Sequence, residues 1–416
     1  MTESINWLHG RLKFGSRPGL DRVLYLLNQL DNPQEKIKSV HIAGTNGKGS
    51  TLTFLRNSLE MSNLKVGTFT SPFIEVFNER IQINGKFITN EAIDELVAVV
   101  KPLVLAMDKI DELSGVTEFE IITAIAFYYF ALEAVDIALI EVGLGGLLDS
   151  TNVISPLLSV ITTIGLDHQD ILGNQIEAIA RQKAGIIKAN TPVVLGNIPD
   201  TALKVIDEIA EDKGSSTVKL FHDFDFEQLA ARKISYHGLS NTGEFELGLA
   251  GNYQSENAAV ALACFEVLQP LLDLSFELAV LKQAIKQAFW PARMEKINGF
   301  ILDGAHNLHA INRLVEEFRT EKRPVHILFS ALATKDYQEM LALLKEIPQV
   351  DLSVTTFDYP SALDLNQLKA IPDVKVYSDW REYLAQQKAA DEIYLITGSL
   401  YFLAQVRQSL LKNSDL

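Results

Sequence analysis

The sequence predicts an α/β protein of two domains. The larger is a mostly parallel sheet of the P-loop type with a small antiparallel β region, and the smaller is a Rossmann-like α/β domain. Three observations lead there. Short, β-branched apolar runs alternate with helical periodicity from residue 37 to about 197. Between 215 and 251 the pattern changes to short strands broken by turn residues. Beyond 296 the strand–helix alternation restarts over a shorter span. The length of 416 residues also exceeds what one ordinary core holds.

The elements follow in order. IKSVHIAG (37–44) reads as a short strand, and Leu52, Leu55 and Leu59 then recur at helical spacing from Lys48 onward. KVGTFTSP (65–72) is the next strand, stopped at Pro72, which completes a βαβ unit and so implies a parallel sheet. A helical region around 90–134 precedes DIALIEVG (136–143) and LSVITTIGLDH (158–168), whose unbroken apolar runs suit strands covered on both faces. QIEAIARQKAGIIKA (175–189) reads as a helix and TPVVLGN (191–197) as a strand. VKLFHDFDF (218–226), ARKISYHG (231–238) and EFELGLAG (244–251) read as antiparallel strands with a turn at Asn241-Thr242-Gly243. Helices are expected over about 254–269 and 274–289. WPARMEK (290–296) interrupts the patterning with a proline, which sets the domains at 1–290 and 297–416 with 291–296 as linker. The second domain takes its strands from 299–304, 325–332, 351–358, 374–379 and 392–399.

Composition narrows the function classes. Hydrophobic residues make up 47% and charged residues 22%, as in a soluble globular protein. The most apolar stretch, 121–140, carries Glu133 and Asp136 and reads as a helix running into a strand, so no membrane partner is expected. The stretch MTESINWLHGRLKF lacks the apolar core of a secretion signal. A single cysteine, Cys264, fits a reducing, cytoplasmic setting. A formal charge of −16 argues against a nucleic-acid partner but not against a small polyanion held by local amides and cations.

HIAGTNGKGS (41–50) departs from the common triphosphate loop, in which Ser or Thr directly follows the lysine. Here Gly49 intervenes between Lys48 and Ser50. The physical requirements are nevertheless met. The stretch follows a strand, opens a helix, and its glycines let amides approach an anion. Lys48 sits at the positive end of the helix dipole, where only a bound anion makes its charge favourable. A ligand-free glycine turn would not explain a lysine framed by two glycines. In an open parallel sheet the ligand lies outside the carboxyl ends of the strands. Ser71, Glu141 and His168 fall there, near Ser50. Singly, Glu141 and His168 would read as hydrogen-bonded strand-end residues. Together they suit one or two divalent cations, Mg²⁺ above all for the oxygen donors. GLGG (143–146) is not a dinucleotide motif, since Leu148 stands where the third glycine belongs.

AGTNGKGS (43–50), FTSPF (69–73), FNERIQING (77–85), EVGLGGLLDSTN (141–152) and LDHQDILGN (166–174) form the first half of an ordered set. IARQKAGIIK (179–188), NYQSENAAVAL (252–262), WPARME (290–295), LDGAHN (302–307) and TGSLYF (397–402) complete it. Over nearly the whole chain this set resembles the folylpolyglutamate synthase and dihydrofolate synthase family of Mur-type ligases, its bacterial polyglutamate-forming branch most closely. The resemblance implies an ATP-dependent ligase that phosphorylates the terminal carboxylate of a folate and lets the amine of L-glutamate attack the acyl phosphate. It implies that Gly44, Thr45, Asn46, Gly47, Lys48, Gly49 and Ser50 hold the ATP phosphates. Asn257, Arg293 and Asp303 match ATP-contacting positions, with His306 close by. Ser50, Ser71, Glu141 and His168 match magnesium positions, and two Mg²⁺ are implied, with room for a monovalent cation. Lys183 matches a lysine that many relatives carry as a carbamate; from the residues alone it is a helix-surface lysine. Lys48, Lys183 and His168 are the expected catalytic residues.

Two departures stand out. Many relatives read TSPHL where this chain has Thr70 to Ile74, and many have proline where it has Leu308. The first lies near the folate approach, where Phe73, Phe119 and Glu120 are candidate folate contacts. Phe73 reads equally well as a core aromatic. Rival readings are glutamate addition to dihydropteroate, a Mur-type ligase for cell-wall precursors, a nucleotide switch, and an inactive scaffold. A guanine switch needs N-K-x-D, and Thr334-Lys335-Asp336 does not supply it. A monomer acting on ATP, a reduced folate and glutamate is expected.

Overall fold

In the computed structural model of the chain, which describes residues 2–12, 19–167, 172–386 and 388–412, the unbroken apolar runs become buried parallel strands. Two compact units result, Met1–Gly248 with Ser255–Ala288, and Leu249–Gln254 with Phe289–Leu416. The first unit holds an eight-stranded sheet of β1 (Ser39–Ala43), β2 (Val66–Phe69), β3 (Ile81–Ile83), β4 (Lys86–Phe87), β5 (Ile137–Glu141), β6 (Leu158–Thr163), β7 (Val193–Asn197) and β8 (Thr217–Lys219). Its order is β4-β3-β2-β5-β1-β6-β7-β8, with parallel pairing except where β3 meets β2 and β4. Every residue of β1 and β5 is buried, because helices cover both faces. Gly67 in β2 allows that covering. A Cβ there would lie 2.8 Å from the Phe130 ring, on the helix Glu118–Leu132.

The strand 218–226 expected in the antiparallel region divides instead. Its first residues join the large sheet as β8, pairing in parallel with β7. The small antiparallel sheet is β9 (Asp225–Ala230), β10 (Lys233–His237) and β11 (Thr242–Glu246). Its turn falls at 238–241, not at 241–243, for a reason remote in sequence. Glu266, buried on the helix Tyr253–Leu271, accepts from the backbone N–H groups of Leu239 (2.9 Å), Ser240 (3.2 Å) and Asn241 (2.7 Å). It also accepts from the Tyr236 hydroxyl at 2.8 Å. Replacing Glu266 with alanine takes the acceptor from the buried Tyr236 hydroxyl and from three N–H groups of the turn. It is expected to lower unfolding stability by roughly 3 kcal/mol, read from the urea midpoint.

The second unit carries β12 (Glu295–Ile297), β13 (Phe300–Asp303), β14 (Val325–Phe329), β15 (Val350–Thr355), β16 (Lys375–Tyr377) and β17 (Ile393–Thr397). Their order is β12-β13-β17-β14-β15-β16, parallel except for β12. β12 begins inside the stretch read from sequence as a linker. Ile311, Leu314, Phe318, Ile327, Phe329 and Leu395 centre the core of this unit.

Candidate functional site

The glycine loop leaves β1 at Gly44 and ends at Gly47, which caps the helix Lys48–Glu60. Two of its glycines are forced by contact. A Cβ on Gly44 would lie 1.9 Å from Thr162 Oγ1, and one on Gly47, where φ is 84°, would lie 2.4 Å from Asn257 Oδ1. The loop is thus moulded between the end of β6 and Asn257. Thr45 N–H donates to the Thr163 carbonyl (2.9 Å), Asn46 N–H to Thr163 Oγ1 (3.0 Å), and the Thr162 hydroxyl to the Asn46 carbonyl (2.6 Å). The first bond inside the helix runs from Thr51 N–H to the Gly47 carbonyl (2.9 Å), so the amides of 48–50 face out of the helix end. That arrangement suits an anion.

Lys48 folds back over this loop. Its ammonium donates to the Gly44 carbonyl at 3.0 Å and lies 3.9 Å from Glu141 Oε1. Glu141 ends β5, opposite Ile42 in register, and is buried. Its other oxygen accepts from Ser71 N–H at 3.2 Å, just beyond β2. Ser50 is buried in the first turn of the helix. The ends of three neighbouring strands therefore deliver an ammonium, a carboxylate and a serine to one edge of the sheet.

Lys183 stands in the last turn of the helix Ile176–Ala184 and is only 5% exposed. Burial, helped by the Lys48 charge and opposed by Asp167 and Asp149, pushes its amine down to about 7. A lysine in that range is substantially neutral, and so nucleophilic, near neutral pH. The GLGG stretch explains how it is held. A Cβ on Gly146 would lie 2.6 Å from the Gln182 carbonyl, and Leu147 N–H donates to that carbonyl at 2.7 Å. Asn152 Nδ2 ties the Leu147 (2.9 Å) and Gly185 (3.0 Å) carbonyls together. Asp149, buried, accepts from Leu144 N–H at 2.8 Å and from the Thr151 hydroxyl. That hydroxyl in turn accepts from His41 Nε2 at 2.9 Å within β1.

In the second unit, Asp303 closes β13. One of its oxygens accepts from the Tyr253 hydroxyl (2.6 Å) and Met294 N–H (3.1 Å), the other from Ala305 N–H (3.1 Å). Burial raises this carboxyl, against the pull of the Arg293 guanidinium. His306 Nδ1 donates to the Gly304 carbonyl at 2.8 Å. The residues on either side of Arg293 both take left-handed backbone, Ala292 at φ 54° and Met294 at φ 49°. Such strain, about 1–3 kcal/mol at each non-glycine position, persists only where surrounding bonds impose it.

The chain matches the Mur ligase middle domain over residues 42–265 and the Mur ligase, glutamate ligase domain over 292–400. It is 41% identical to the dihydrofolate synthase/folylpolyglutamate synthase of Bacillus subtilis, covering 97% of this chain and 98% of that protein. The chain belongs to the folylpolyglutamate synthase/dihydrofolate synthase family of Mur ligases. The folylpolyglutamate synthase of Lacticaseibacillus casei is a second relative, 37% identical over 99% of this chain and 98% of its own. Among solved structures, an FPGS–AMPPCP–folate complex superposes with a TM-score of 0.88 at 35% identity, covering 98% of this chain and 99% of that one.

Within this family member, the first unit brings together Gly44 to Ser50, Ser71, Glu141, Lys183 and Asn257; Arg293, Asp303 and His306 group in the second. His168 lies outside the described residues. Among the described residues no cluster of three or more His, Cys, Asp or Glu side chains is placed to hold a metal. The donors present, Ser50, Ser71 and Glu141, are hard oxygens of the kind that fit Mg²⁺.

The aromatic candidates divide. Phe119 packs on Phe69 (ring centroids 5.9 Å apart) and under Gly143, where a Cβ would lie 2.5 Å from its ring. Phe73 sits against Phe77 at 6.0 Å, with the Arg80 guanidinium 5.3 Å from its ring. Glu120 gives its carboxylate to structure. It accepts from Arg22 Nε at 3.0 Å, and caps its own helix through Thr117 N–H and hydroxyl, both at 2.8 Å. Sequence reasoning passed over Thr162, Thr163, Tyr253 and Arg407. Tyr253 lay in one of the motifs of the ordered set, and Thr162 and Thr163 in a stretch read only as a strand.

Proposed function

We propose that this chain joins L-glutamate to the terminal glutamate carboxylate of tetrahydrofolate or its polyglutamates, through an acyl phosphate, releasing ADP and phosphate. The observation that carries the reading is the glycine loop with Lys48 folded over it beside Glu141, in a chain so similar to ligases of this family. Bond formation requires two anions, a phosphate and a carboxylate, to meet. The protein contributes chiefly position and charge.

The outward amides of 48–50 and the Lys48 ammonium hold the terminal phosphates; Asn257, Arg293, Asp303 and His306 are the further ATP contacts. Ser50, Ser71, Glu141 and His168 would hold Mg²⁺, which when bound offsets charge on the phosphates. Lys183, held neutral by burial, takes up CO₂: an N–C bond forms, one proton leaves, and the resulting carbamate supplies an anion in the same crevice. Phe73 and Phe119 flank the folate approach. No described helix is long and apolar enough to cross a membrane. We place the protein in the cytoplasm, as a monomer, with two Mg²⁺ and room for a monovalent cation.

A second reading has a specific support, since the Bacillus subtilis relative bears both activities in its name: glutamate addition to dihydropteroate as well. Phosphate release from ATP, measured with glutamate and each acceptor in turn, tests both. Release that requires tetrahydrofolate and glutamate together is expected. Release with dihydropteroate plus glutamate adds the second activity. Release with neither acceptor nor glutamate overturns the ligase reading in favour of a nucleotide switch.

A further inference from the structure

We propose that Arg407 is a positioning residue for the ligase reaction, acting through Glu295 to set the backbone that presents Arg293. The inference rests on the reading of Arg293 as an ATP contact.

Left-handed backbone at both neighbours of a residue does not maintain itself, because neither Ala292 nor Met294 has glycine's freedom. Three bonds impose it. Gly304 N–H donates to the Ala292 carbonyl at 2.8 Å, Met294 N–H to Asp303 Oδ2 at 3.1 Å, and Ala292 N–H to Glu295 Oε2 at 2.8 Å. In the first two the partners are Gly304, just past β13, and Asp303 of the site itself. The third is different, for Glu295 is held from outside the segment. Arg407, on the helix Leu400–Lys412, donates from Nε to both Glu295 oxygens (3.1 and 2.9 Å) and from Nη2 to Oε1 (2.9 Å). The two side chains are 13% and 9% exposed, so the pair works largely out of water.

Without the guanidinium a carboxylate this buried turns toward solvent, since an uncompensated charge is strongly disfavoured there. Ala292 N–H then loses its acceptor and the bend around Arg293 relaxes. The tolerance for such relaxation is small. Arg293 Nη1 lies so close across Gly304 that a Cβ there would stand 2.8 Å from it. A guanidinium seated this tightly on backbone moves when the backbone does.

The test compares Arg293→Ala, Arg407→Met and the double variant with the full-length wild type. Phosphate release is followed at saturating folate and glutamate with ATP varied, and thermal melts are recorded beside it. Arg407→Met is expected to raise the KM for ATP roughly tenfold, as misplacement of a binding group does. It is expected to add nothing once Arg293 is alanine. A purely structural brace would lower the Tm, leave the KM for ATP at the wild-type value, and overturn the proposal. So would effects of the two substitutions that multiply. If Arg293→Ala alone leaves the KM for ATP unchanged, it is the ATP-contact reading that fails, and the proposal falls with it. Should Arg407→Met not fold, Arg407→Lys replaces it, keeping the charge without the forked geometry. A smaller rise in KM is then expected, and no rise overturns the proposal.

Discussion

Lys48→Ala is expected to cut the rate of folate-dependent phosphate release by roughly 10³-fold, with the melting temperature nearly unchanged. The two halves of that expectation have separate origins. The ammonium is bonded to the Gly44 carbonyl and stands within ionic reach of Glu141, at the mouth of an anion-ready helix end. Its charge serves the ligand more than the fold. Stabilising charge that develops on a transferring phosphoryl group is where fixed cations have their largest catalytic effect. The loop itself is shaped by Thr162, Thr163 and Asn257, none of which needs the lysine. Steady-state assays with ATP, tetrahydrofolate and glutamate, beside a thermal melt, check both halves. An undiminished rate would remove the basis of the mechanism.

Lys183 carries the second large effect. Incubation with ¹³C-bicarbonate above pH 7 is expected to give a carbamate resonance that Lys183→Met abolishes, with turnover falling about 100-fold. The pH direction follows from an amine held at about 7 rather than at its ordinary 10.5. Only the neutral amine attacks CO₂, so the signal grows as pH rises through 7. The same depression has a thermodynamic face in CO₂-free buffer. Between pH 7 and 10.5 the unfolded chain binds the proton and the folded one does not, so this site makes stability rise with pH across that window. The burden is fully present below 7 and absent above 10.5. Lys183→Met should flatten that part of the stability curve, by a few kcal/mol over the window. Denaturant midpoints measured at several pH values decide it; a slope equal in both proteins would mean the amine is not depressed.

Much of the large sheet was legible because burial on both faces leaves a signature in composition. β5 is apolar up to its closing Glu141 and β1 is apolar but for Ser39 and His41, as suits strands covered on both faces. The loop was legible because Gly44, Gly47 and Lys48 carry geometric and electrostatic demands within a few residues of each other. What escaped depends on partners far away in the chain. The turn at 238–241 is set by Glu266, and nothing in its own residues distinguishes it from one three positions later. Val218 and Lys219 looked continuous with the antiparallel strand that follows, and only the pairing of β8 with β7 shows where they belong. Glu295 and Arg407 are charged residues 112 positions apart. Either alone reads as solvated surface. The partner of Glu120 was hidden for the same reason, since Arg22 cannot be seen to reach it until the helices are packed.

The hydrogen-bonded row from His41 through Thr151 to Asp149 has an acidic consequence. Burial, reinforced by the nearby Lys188 charge, pushes the His41 imidazole from 6.5 down to about 3. It therefore stays uncharged through the physiological range. As the medium is acidified from 6.5 toward 3, the unfolded chain gains a proton that the central strand refuses, and this site withdraws stability throughout. Acid lability is thus built in beneath the nucleotide loop, at a residue with no part in the reaction.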